Sequence, residues 1–238
     1  MRLTPDSMVI WQWRFISLNG TIIFTWVVMG LLLLISWLAT RKLSVGQRIS
    51  RWQNLLETIV SYMRDQIRQI AQQDPDTYLP FLGTLFLFIS LSNLLTLVPL
   101  YQPPTGSLST TAALAICVFF AVPLFGIARS GFGGYFKRYL QPSLLMLPFH
   151  VMGELSRTLA LAVRLFGNIM SGTIIIAILI SIVPLFVPIV MQALGLLIGQ
   201  IQAYIFAVLA AVYIASASRS QQEEVSTGAR EKGESANG

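Results

Sequence analysis

Residues 149–183 have the sequence FHVMGELSRTLALAVRLFGNIMSGTIIIAILISIV. As a single helix rising 1.5 Å per residue, this stretch would be roughly 50 Å long. The hydrocarbon core of a bilayer is only about 30 Å thick. A continuous helix of this length must therefore tilt strongly, kink, or run partly along the membrane plane. The stretch predicts an inclined membrane helix rather than an upright span.

A second long apolar stretch, residues 189–217, follows almost directly, and Pro184 and Pro188 separate the two. As a helix it would be roughly 45 Å long, again longer than the bilayer core is thick. We predict that the two stretches form a strongly inclined antiparallel hairpin. Such a hairpin presents a broad side surface to a neighbouring protein instead of closing into a bundle by itself.

The remainder of the chain also predicts membrane helices. The sequence is 55% hydrophobic and only 11% charged, whereas about a quarter of the residues in soluble domains are charged. We predict an all-α integral membrane protein, one membrane domain over residues 1–238, with five membrane-embedded helices and one amphipathic interfacial helix. The three shorter spans are about 21–40, 81–98 and 110–128, and the amphipathic helix is 52–71.

The positively charged residues predict the orientation of these helices. Most of them follow the first, third and fifth predicted spans, and the turns after the second and fourth spans carry none. This positive-inside pattern predicts an external N-terminus, with the amphipathic helix and the C-terminus in the cytoplasm. The clustered residues are Arg41, Lys42, Arg48, Arg51, Arg64 and Arg68, then Arg129, Lys137 and Arg138, then Arg219, Arg230 and Lys232.

Four further interpretations follow from composition. The net charge of +6 does not indicate nucleic-acid binding, because the basic residues are topogenic clusters between apolar runs. The single cysteine, Cys117, can form neither a disulfide framework nor a zinc site, and we expect a small buried hydrophobe there. We expect no metal and no resident cofactor. The tail 219–238 is polar and charged, which predicts disorder.

The polar residues of the first long stretch share one helical face. They follow one another in alternating steps of four and three residues, which keeps side chains on the same side of a helix. The stripe consists of His150, Glu154, Arg157, Leu161, Arg164 and Asn168.

The two arginines of this stripe need different explanations. A charge at the bilayer centre costs about 2.5–3.5 kcal/mol on insertion scales, and arginine cannot lose its proton. Arg157 has Glu154 three residues before it, and this pair is either structural or functional. Arg164 has no second intramembrane carboxylate in the chain, so we predict that another protein supplies its counter-charge. Snorkelling to the interface is the alternative, which its central position disfavours.

The second long stretch carries amides and small residues. Amides in lipid need hydrogen-bond partners, and a small-xxx-small pattern such as Gly195 and Gly199 permits close helix packing. The polar residues here are Gln192, Gln200, Gln202, Tyr204 and Tyr213.

Two segments together resemble subunit a of F-type ATP synthases. They are SRTLALAVRLFGNIMSG at 156–172 and IQAYIFAVLAAVYIASA at 201–217, with support from FISLSNLLTLVP at 88–99 and RWQNLLETIV at 51–60. The resemblance covers nearly the whole chain. Three details look closest to the N-ATPase branch, a second and often sodium-linked type of F-type complex: WQWRFISLNGTIIFTWVVMG (11–30), YQPPTGSLSTTAALA (101–115) and GELSRTLALAVRLFGN (153–168).

The resemblance implies a non-catalytic stator subunit of the membrane Fo sector. Such a subunit offers two ion half-channels to a rotating ring of c subunits and couples H⁺ or Na⁺ translocation to ATP synthesis or hydrolysis. It implies that Arg164 faces the ring, that Gln202 stands near it, and that Asn168 lines the aqueous path. It also implies b-type peripheral stalk subunits and, indirectly, the F1 sector as partners. The membrane would be the bacterial plasma membrane, or a thylakoid membrane in a cyanobacterium.

The sequence departs from the family pattern at two positions. Many relatives carry a titratable group where this chain has Thr173 and Gly195, so this half-channel has no protonatable side chain at either position. Sodium needs only oxygen ligands and water, and we therefore favour sodium while the proton remains open. His150 and Glu154 could serve a proton on the cytoplasmic side. We assign a supporting polar role to His150, Glu154, Arg157, Gln200 and Tyr213.

Two other functions are compatible with a polytopic chain. A self-contained secondary transporter usually shows internal repeats and broken helices around a central site, and we see no repeat here. A membrane scaffold would not require Arg164.

Overall fold

The structure is a computed structural model that describes the backbone of residues 9–13, 16–40, 51–71, 75–98, 101–140, 146–182 and 187–235. Side chains are described for residues 20–38, 54, 57–69, 76–98, 101–128, 148–149, 151–182 and 187–216.

A short hairpin precedes the first membrane helix. Strand β1 (Val9–Trp13) pairs antiparallel with β2 (Ile16–Asn19), so that Val9 lies opposite Asn19 and Trp13 opposite Ile16. The sequence analysis does not predict these strands, although Val, Ile and Trp favour extended backbone. Each strand is only four or five residues long, too short for an alternating pattern to stand out.

Six helices follow, and five of them are long and apolar enough to cross a membrane. This confirms the predicted all-α membrane architecture of five spans and one amphipathic helix. Helix α3 continues into a 3₁₀ turn at Leu95–Leu97. The six are α1 (Gly20–Thr40), α2 (Arg51–Ala71), α3 (Leu79–Leu94), α4 (Leu108–Leu140), α5 (Met146–Ile182) and α6 (Val187–Ser235), and α2 is the helix that is not apolar.

Two helices extend beyond the predicted spans. Helix α4 runs to Leu140 through the segment we interpreted as a basic loop after residue 128. The glycines there lower helix propensity without forbidding a helix, and Pro142 accounts for the end, because the residue before a proline avoids helical backbone. Helix α6 runs to Ser235 through the tail predicted to be disordered. The tail contains four Glu and two each of Gln, Ala and Arg, which favour helix even without an apolar stripe.

Helices α5 and α6 pack against each other in antiparallel directions. Arg157 near the start of α5 lies over Tyr213 far along α6, while Ile180 and Met191 line one cleft at the opposite end of the pair. This register places Asn168 level with Gln202. The helices have 37 and 49 residues, roughly 55 and 73 Å at 1.5 Å per residue. Their inclination to the bilayer stays a prediction.

The buried core lies between α3, α4, α5 and α6. Its largest fully buried side chains include Leu82, Ile89, Leu165, Phe206 and Ile214. Helix α1 lies at the edge and exposes most of its apolar side chains, as expected for a helix whose solvent is lipid. Cys117 on α4 is exposed, so the expectation of a buried cysteine is wrong. The reason is local: its neighbour Val118 takes the inward position instead.

Helix α2 packs along α3 and α6 through its apolar side. Ile67 is buried there, and the Tyr204 hydroxyl of α6 donates a hydrogen bond of 2.9 Å to Gln66 Oε1. On the polar side, Arg64 forms a salt bridge of 2.7 Å with Asp76. The helix is therefore bound to the membrane helices through one face instead of standing apart as a solvated connector.

Directional hydrogen bonds join α3 to α6. Asn93 Nδ2 donates to the carbonyl oxygen of Gly199 at 2.7 Å, and both residues are buried. A Cβ atom added at Gly199 would lie 3.0 Å from the Asn93 amide carbon and nitrogen, closer than nearly all real contacts. The glycine is therefore required by close approach of the two helices.

We expect Gly199→Ala to destabilise the α3–α6 contact by about 1–3 kcal/mol, because overpacking forces backbone shifts. The measurement is the thermal unfolding midpoint of the purified complex or its yield in membranes. Gly30→Ala is the matched control, since no atom lies within 4 Å of a Cβ at that position. Equal yields and midpoints for both variants would contradict the argument.

Candidate functional site

Arg164 lies in the middle of α5 with its side chain exposed on the outside of the helix pair. The adjacent Leu165 is fully buried, which follows from the turn of about 100° between consecutive helical residues. Among the side chains that the structure describes, no carboxylate forms a salt bridge with Arg164. An uncompensated guanidinium thus sits on the surface of a helix that is apolar enough to span a membrane.

A separate charged cluster lies two turns earlier on α5. Arg157 Nη1 is 3.6 Å from Glu154 Oε2, and the arginine carbon Cζ lies 5.8 Å from the centre of the Tyr213 ring. The carboxyl side chain is 16% exposed and the arginine side chain 53%. The predicted pairing of Glu154 with Arg157 is confirmed. Tyr213 adds a cation–π contact to it.

A cleft of about 660 Å³ opens on the other side of Arg164. It lies between the end of α3, the segment after it, the second half of α5 and the first part of α6. Asn168 is the lining residue nearest Arg164 on α5, four residues or about 6 Å along the helix axis. The polar side chains that line the cleft are those of Asn93, Thr96, Tyr101, Gln102, Asn168, Ser171, Thr173 and Gln192.

The cleft brings together three of the residues singled out from the sequence: Asn168, Thr173 and Gly195. The Thr173 hydroxyl donates to the carbonyl oxygen of Ile169 at 2.9 Å and leaves its lone pairs accessible. Gly195 is exposed, and a Cβ there would meet no atom within 4 Å. None of the described side chains that line the cleft is acidic, basic or a histidine.

Tyr101 is the one ionisable lining residue of the described cleft, and the sequence analysis did not single it out. Its hydroxyl lies 3.3 Å from Ser92 Oγ, and its ring packs edge-on against Phe24 at 5.2 Å. Burial raises the pKa of Tyr101 to about 12, with a smaller opposing effect from Ser92. The phenol is therefore neutral at physiological pH and adds a hydroxyl group, not a charge. A tyrosine in a proline-rich turn carries no pattern that would reveal this position.

The two neighbouring glutamines of α6 occupy different surroundings. Gln202 is 6% exposed, and its amide forms no hydrogen bond with the side chains or backbone that the structure describes. By the helix register it lies level with Asn168. Gln200 instead binds Ser90 of α3 on another side of α6, through hydrogen bonds of 2.5 and 3.0 Å. The structure therefore does not bring Gln200 together with the α5 residues.

His150 lies within α5, but its side chain is outside the described residues, so the cytoplasmic role predicted for it stays a prediction. In the described part of the chain, the order along α5 is the Glu154–Arg157 pair, then Arg164, then Asn168 and the cleft. A single cation thus separates a charged cluster from a neutral polar cleft.

Comparison with known proteins identifies the family. The family model described as "ATP synthase A chain" matches residues 22–215. "ATP synthase subunit a 2" of Acaryochloris marina (strain MBIC 11017) is 62% identical over 227 residues, which cover 95% of this chain and 97% of that protein. "ATP synthase subunit a" of Albidiferax ferrireducens is 58% identical over 228 residues, which cover 96% and 99%.

The chain belongs to the ATP synthase A chain family. A third relative, "ATP synthase subunit a 1" of Chlorobaculum parvum, is 58% identical and is matched over its full length. The family assignment, together with the five apolar helices, makes this chain a membrane component of ATP synthase. It confirms the resemblance to subunit a and disfavours the self-contained transporter and the scaffold. The assignment to the N-ATPase branch stays a prediction.

The Glu154–Arg157 pair of this ATP synthase A chain generates a prediction. Glu154→Ala or Arg157→Ala alone should lower the amount of assembled complex several-fold, because each leaves a poorly hydrated charge without its partner. The double variant should be milder than either single variant, since it removes both charges. Quantitative immunoblotting of the subunit in membranes measures the effect. Additive losses in the double variant would show that the two side chains act independently.

Proposed function

We propose that this chain is the static subunit of a rotary ATP synthase that conducts ions to and from a c-subunit ring through two half-channels separated by Arg164. The observation that carries this proposal is an exposed guanidinium midway along a membrane helix, which no described carboxylate pairs with, and which has a charged cluster on one side and a neutral polar cleft on the other. The subunit performs no bond chemistry. It supplies the routes by which ion flow is coupled to rotation.

The position of Arg164 suits the face that meets the ring. A charge in lipid requires compensation, and within the described side chains no acid provides it. A ring carboxylate that arrives opposite Arg164 would supply the missing charge. The guanidinium in turn lowers the pKa of that carboxylate and favours release of its bound ion. It also repels a cation that would pass directly between the half-channels, since repulsion is strong where the dielectric is low.

We assign the cleft to the external half-channel. Under the positive-inside orientation, the segment after α3, the end of α5 and the start of α6 lie towards the outside, and residues of these parts line the cleft. Asn168, Thr173 and Gly195 line it directly, and Gln202 lies level with its inner end. The cytoplasmic half-channel would then begin near Glu154, Arg157 and Tyr213, with His150 as a further candidate.

We favour sodium as the transported ion. The described lining of the external cleft offers amide and hydroxyl oxygens and no group that exchanges a proton at neutral pH. Sodium is bound by neutral oxygens and water, whereas a proton would need a continuous water chain along this path. The proton remains the alternative, because water chains also conduct protons.

The subunit would assemble with the c ring, with b-type peripheral stalk subunits and, through these, with the F1 sector. The lipid membrane would be the bacterial plasma membrane, or a thylakoid membrane in a cyanobacterium, with the C-terminus in the cytoplasm. The exposed apolar sides of α1 and α4 suit lipid or stalk helices equally.

We expect Arg164→Ala to abolish ATP-driven ion pumping and ion-driven ATP synthesis while the complex still assembles, because the barrier and the counter-charge disappear together. Pumping is measured in inverted membrane vesicles, alongside the amount of assembled complex. Arg64→Ala is the control, since that arginine lies in a solvent-exposed pair and its loss should change pumping little. Coupled pumping that survives Arg164→Ala overturns the proposal.

Sodium should protect the ring carboxylate from labelling by a carbodiimide in the purified complex. If the ion is sodium, the rate of labelling should fall several-fold as sodium is raised at constant pH and ionic strength. Potassium at the same concentration serves as the control. Protection by acid alone, with no difference between sodium and potassium, would assign the path to protons.

A further inference from the structure

Gln200 and Gln202 lie two residues apart on α6, which separates their directions by about 200° around the helix axis. Both polar atoms of the Gln200 amide form hydrogen bonds. Its Nε2 donates to the Ser90 carbonyl oxygen at 3.0 Å, and its Oε1 accepts from Ser90 Oγ at 2.5 Å. Gln202 is 6% exposed as a whole residue, and its amide has no such partner among the described residues. Gln200 is therefore held by α3, while the amide of Gln202 lies on another side of α6 and is free to bind other groups there.

A second contact lies beside the first. Asn93, one turn after Ser90 on α3, donates to the Gly199 carbonyl oxygen at 2.7 Å. Gly199 permits this because its missing Cβ leaves room for the Asn93 amide. We call Ser90, Asn93, Gly199 and Gln200 the α3–α6 clamp. Its three hydrogen bonds act on adjacent residues of α6, so they restrain rotation and axial sliding together.

Rotation of α6 needs such restraint because apolar packing does not supply it well in a membrane. Lipid tails and apolar side chains are similar surroundings, so turning an apolar helix face from protein to lipid costs little. Directional hydrogen bonds do distinguish one rotation from another. A rotation that broke the clamp would leave buried polar groups without partners and would also swing Gln202 away from the side that faces α5.

Two residues of the clamp, Ser90 and Gln200, do not line the polar cleft. Ser90 lines an apolar groove of about 430 Å³ between α2, α3 and α6, not the polar cleft. Gln200 is not among the residues that line the cleft. A change at Ser90 or Gln200 therefore alters the placement of α6 without removing a side chain from the cleft itself.

We propose that the α3–α6 clamp sets the rotation of α6 and thereby directs the amide of Gln202 towards α5, level with Asn168. Ser90 and Gln200 are positioning residues that act through Gln202. This inference rests on the proposed function in one respect, because it takes Gln202 to serve the ion path. The rotation of α6 can be measured without reference to transport.

The first test measures rotation by disulfide cross-linking in membranes. Leu161→Cys on α5 is combined with Leu209→Cys on α6, because residue 209 lies level with residue 161. The background carries Cys117→Ser, so this chain contains no other cysteine. The pair Leu161→Cys with Val208→Cys reports α6 turned by about 100°. With the clamp intact, we expect cross-linking at 209 and little at 208, because Leu209 packs on the core while Val208 lines the groove.

Ser90→Ala with Gln200→Leu removes both partners of the contact at once. We expect this variant to lower cross-linking at 209 at least twofold and to raise it at 208. Ser90→Thr keeps the hydroxyl and should restore the original pattern when Gln200 is present. Ser181→Ala, which removes a hydrogen bond within α5 and lines neither the cleft nor the groove, is the matched control. An unchanged pattern in Ser90→Ala with Gln200→Leu overturns the proposal.

The second test measures ATP-driven pumping per assembled complex in the same clamp variants without the introduced cysteines. We expect at least a fivefold loss, with recovery in Ser90→Thr. Gln200→Asn is the milder alternative if the double variant assembles poorly, because its shorter side chain cannot reach both groups of Ser90. A shifted cross-linking pattern with undiminished pumping would overturn the role assigned to Gln202. Arg164→Ala decides the proposed function separately, since its result does not depend on the rotation of α6.

Discussion

The constraint on which this architecture depends is a permanent positive charge on an apolar helix. Arg164 cannot be neutralised by losing its proton, and no acid of the described chain forms a salt bridge with it. The neighbouring Leu165 is fully buried, so the helix cannot turn the guanidinium inward without exposing its core side. The long antiparallel pair of α5 and α6 holds that charge on an open side surface, and in the proposed function a ring carboxylate compensates it. An otherwise unfavourable residue is thereby explained by assembly.

The two arginines of α5 differ in the groups that surround them. Arg157 has an acid one turn away and an aromatic ring beneath it, and it lies where its side chain remains half exposed. Such a charge is accounted for within the chain. Arg164 shares the helix, the residue type and nearly the same face, yet among the described side chains it has neither an acid nor an aromatic ring as a partner. The difference in surroundings, and not the residue type, is the reason that we propose the second arginine as the one that acts on another subunit.

The sequence predicts the five spans and the amphipathic helix because hydrophobic length and helical periodicity depend on local composition. It also predicts the pairing of Glu154 with Arg157, which follows from spacing on one helix. It does not predict where α4 ends, because a basic, glycine-containing segment is compatible with both loop and helix. Of the residues that line the cleft, the family resemblance pointed to Asn168, Thr173 and Gly195. Its wall at Tyr101 and Gln102 comes from a distant turn, and the approach of that turn depends on tertiary packing that no local pattern encodes. The sequence does not predict the different surroundings of Gln200 and Gln202 either, because they also depend on tertiary packing.

In the proposed function, a static ion pathway must combine exact placement with weak ion binding, and the two long helices would divide these tasks. Helix α5 carries the charge and one wall of the polar cleft. Helix α6 contributes small residues and amides, and its position depends on its contacts with α3. The hydrogen bonds from α3 reach α6 on a different side from α5, where Ser90 and Gln200 are shielded by α2 and its apolar neighbours. Because the bonds between Ser90 and Gln200 involve no residue that lines the cleft, they can fix the helix without binding the ion. The cleft itself can then remain neutral and weakly coordinating, which lets an ion leave as readily as it arrives.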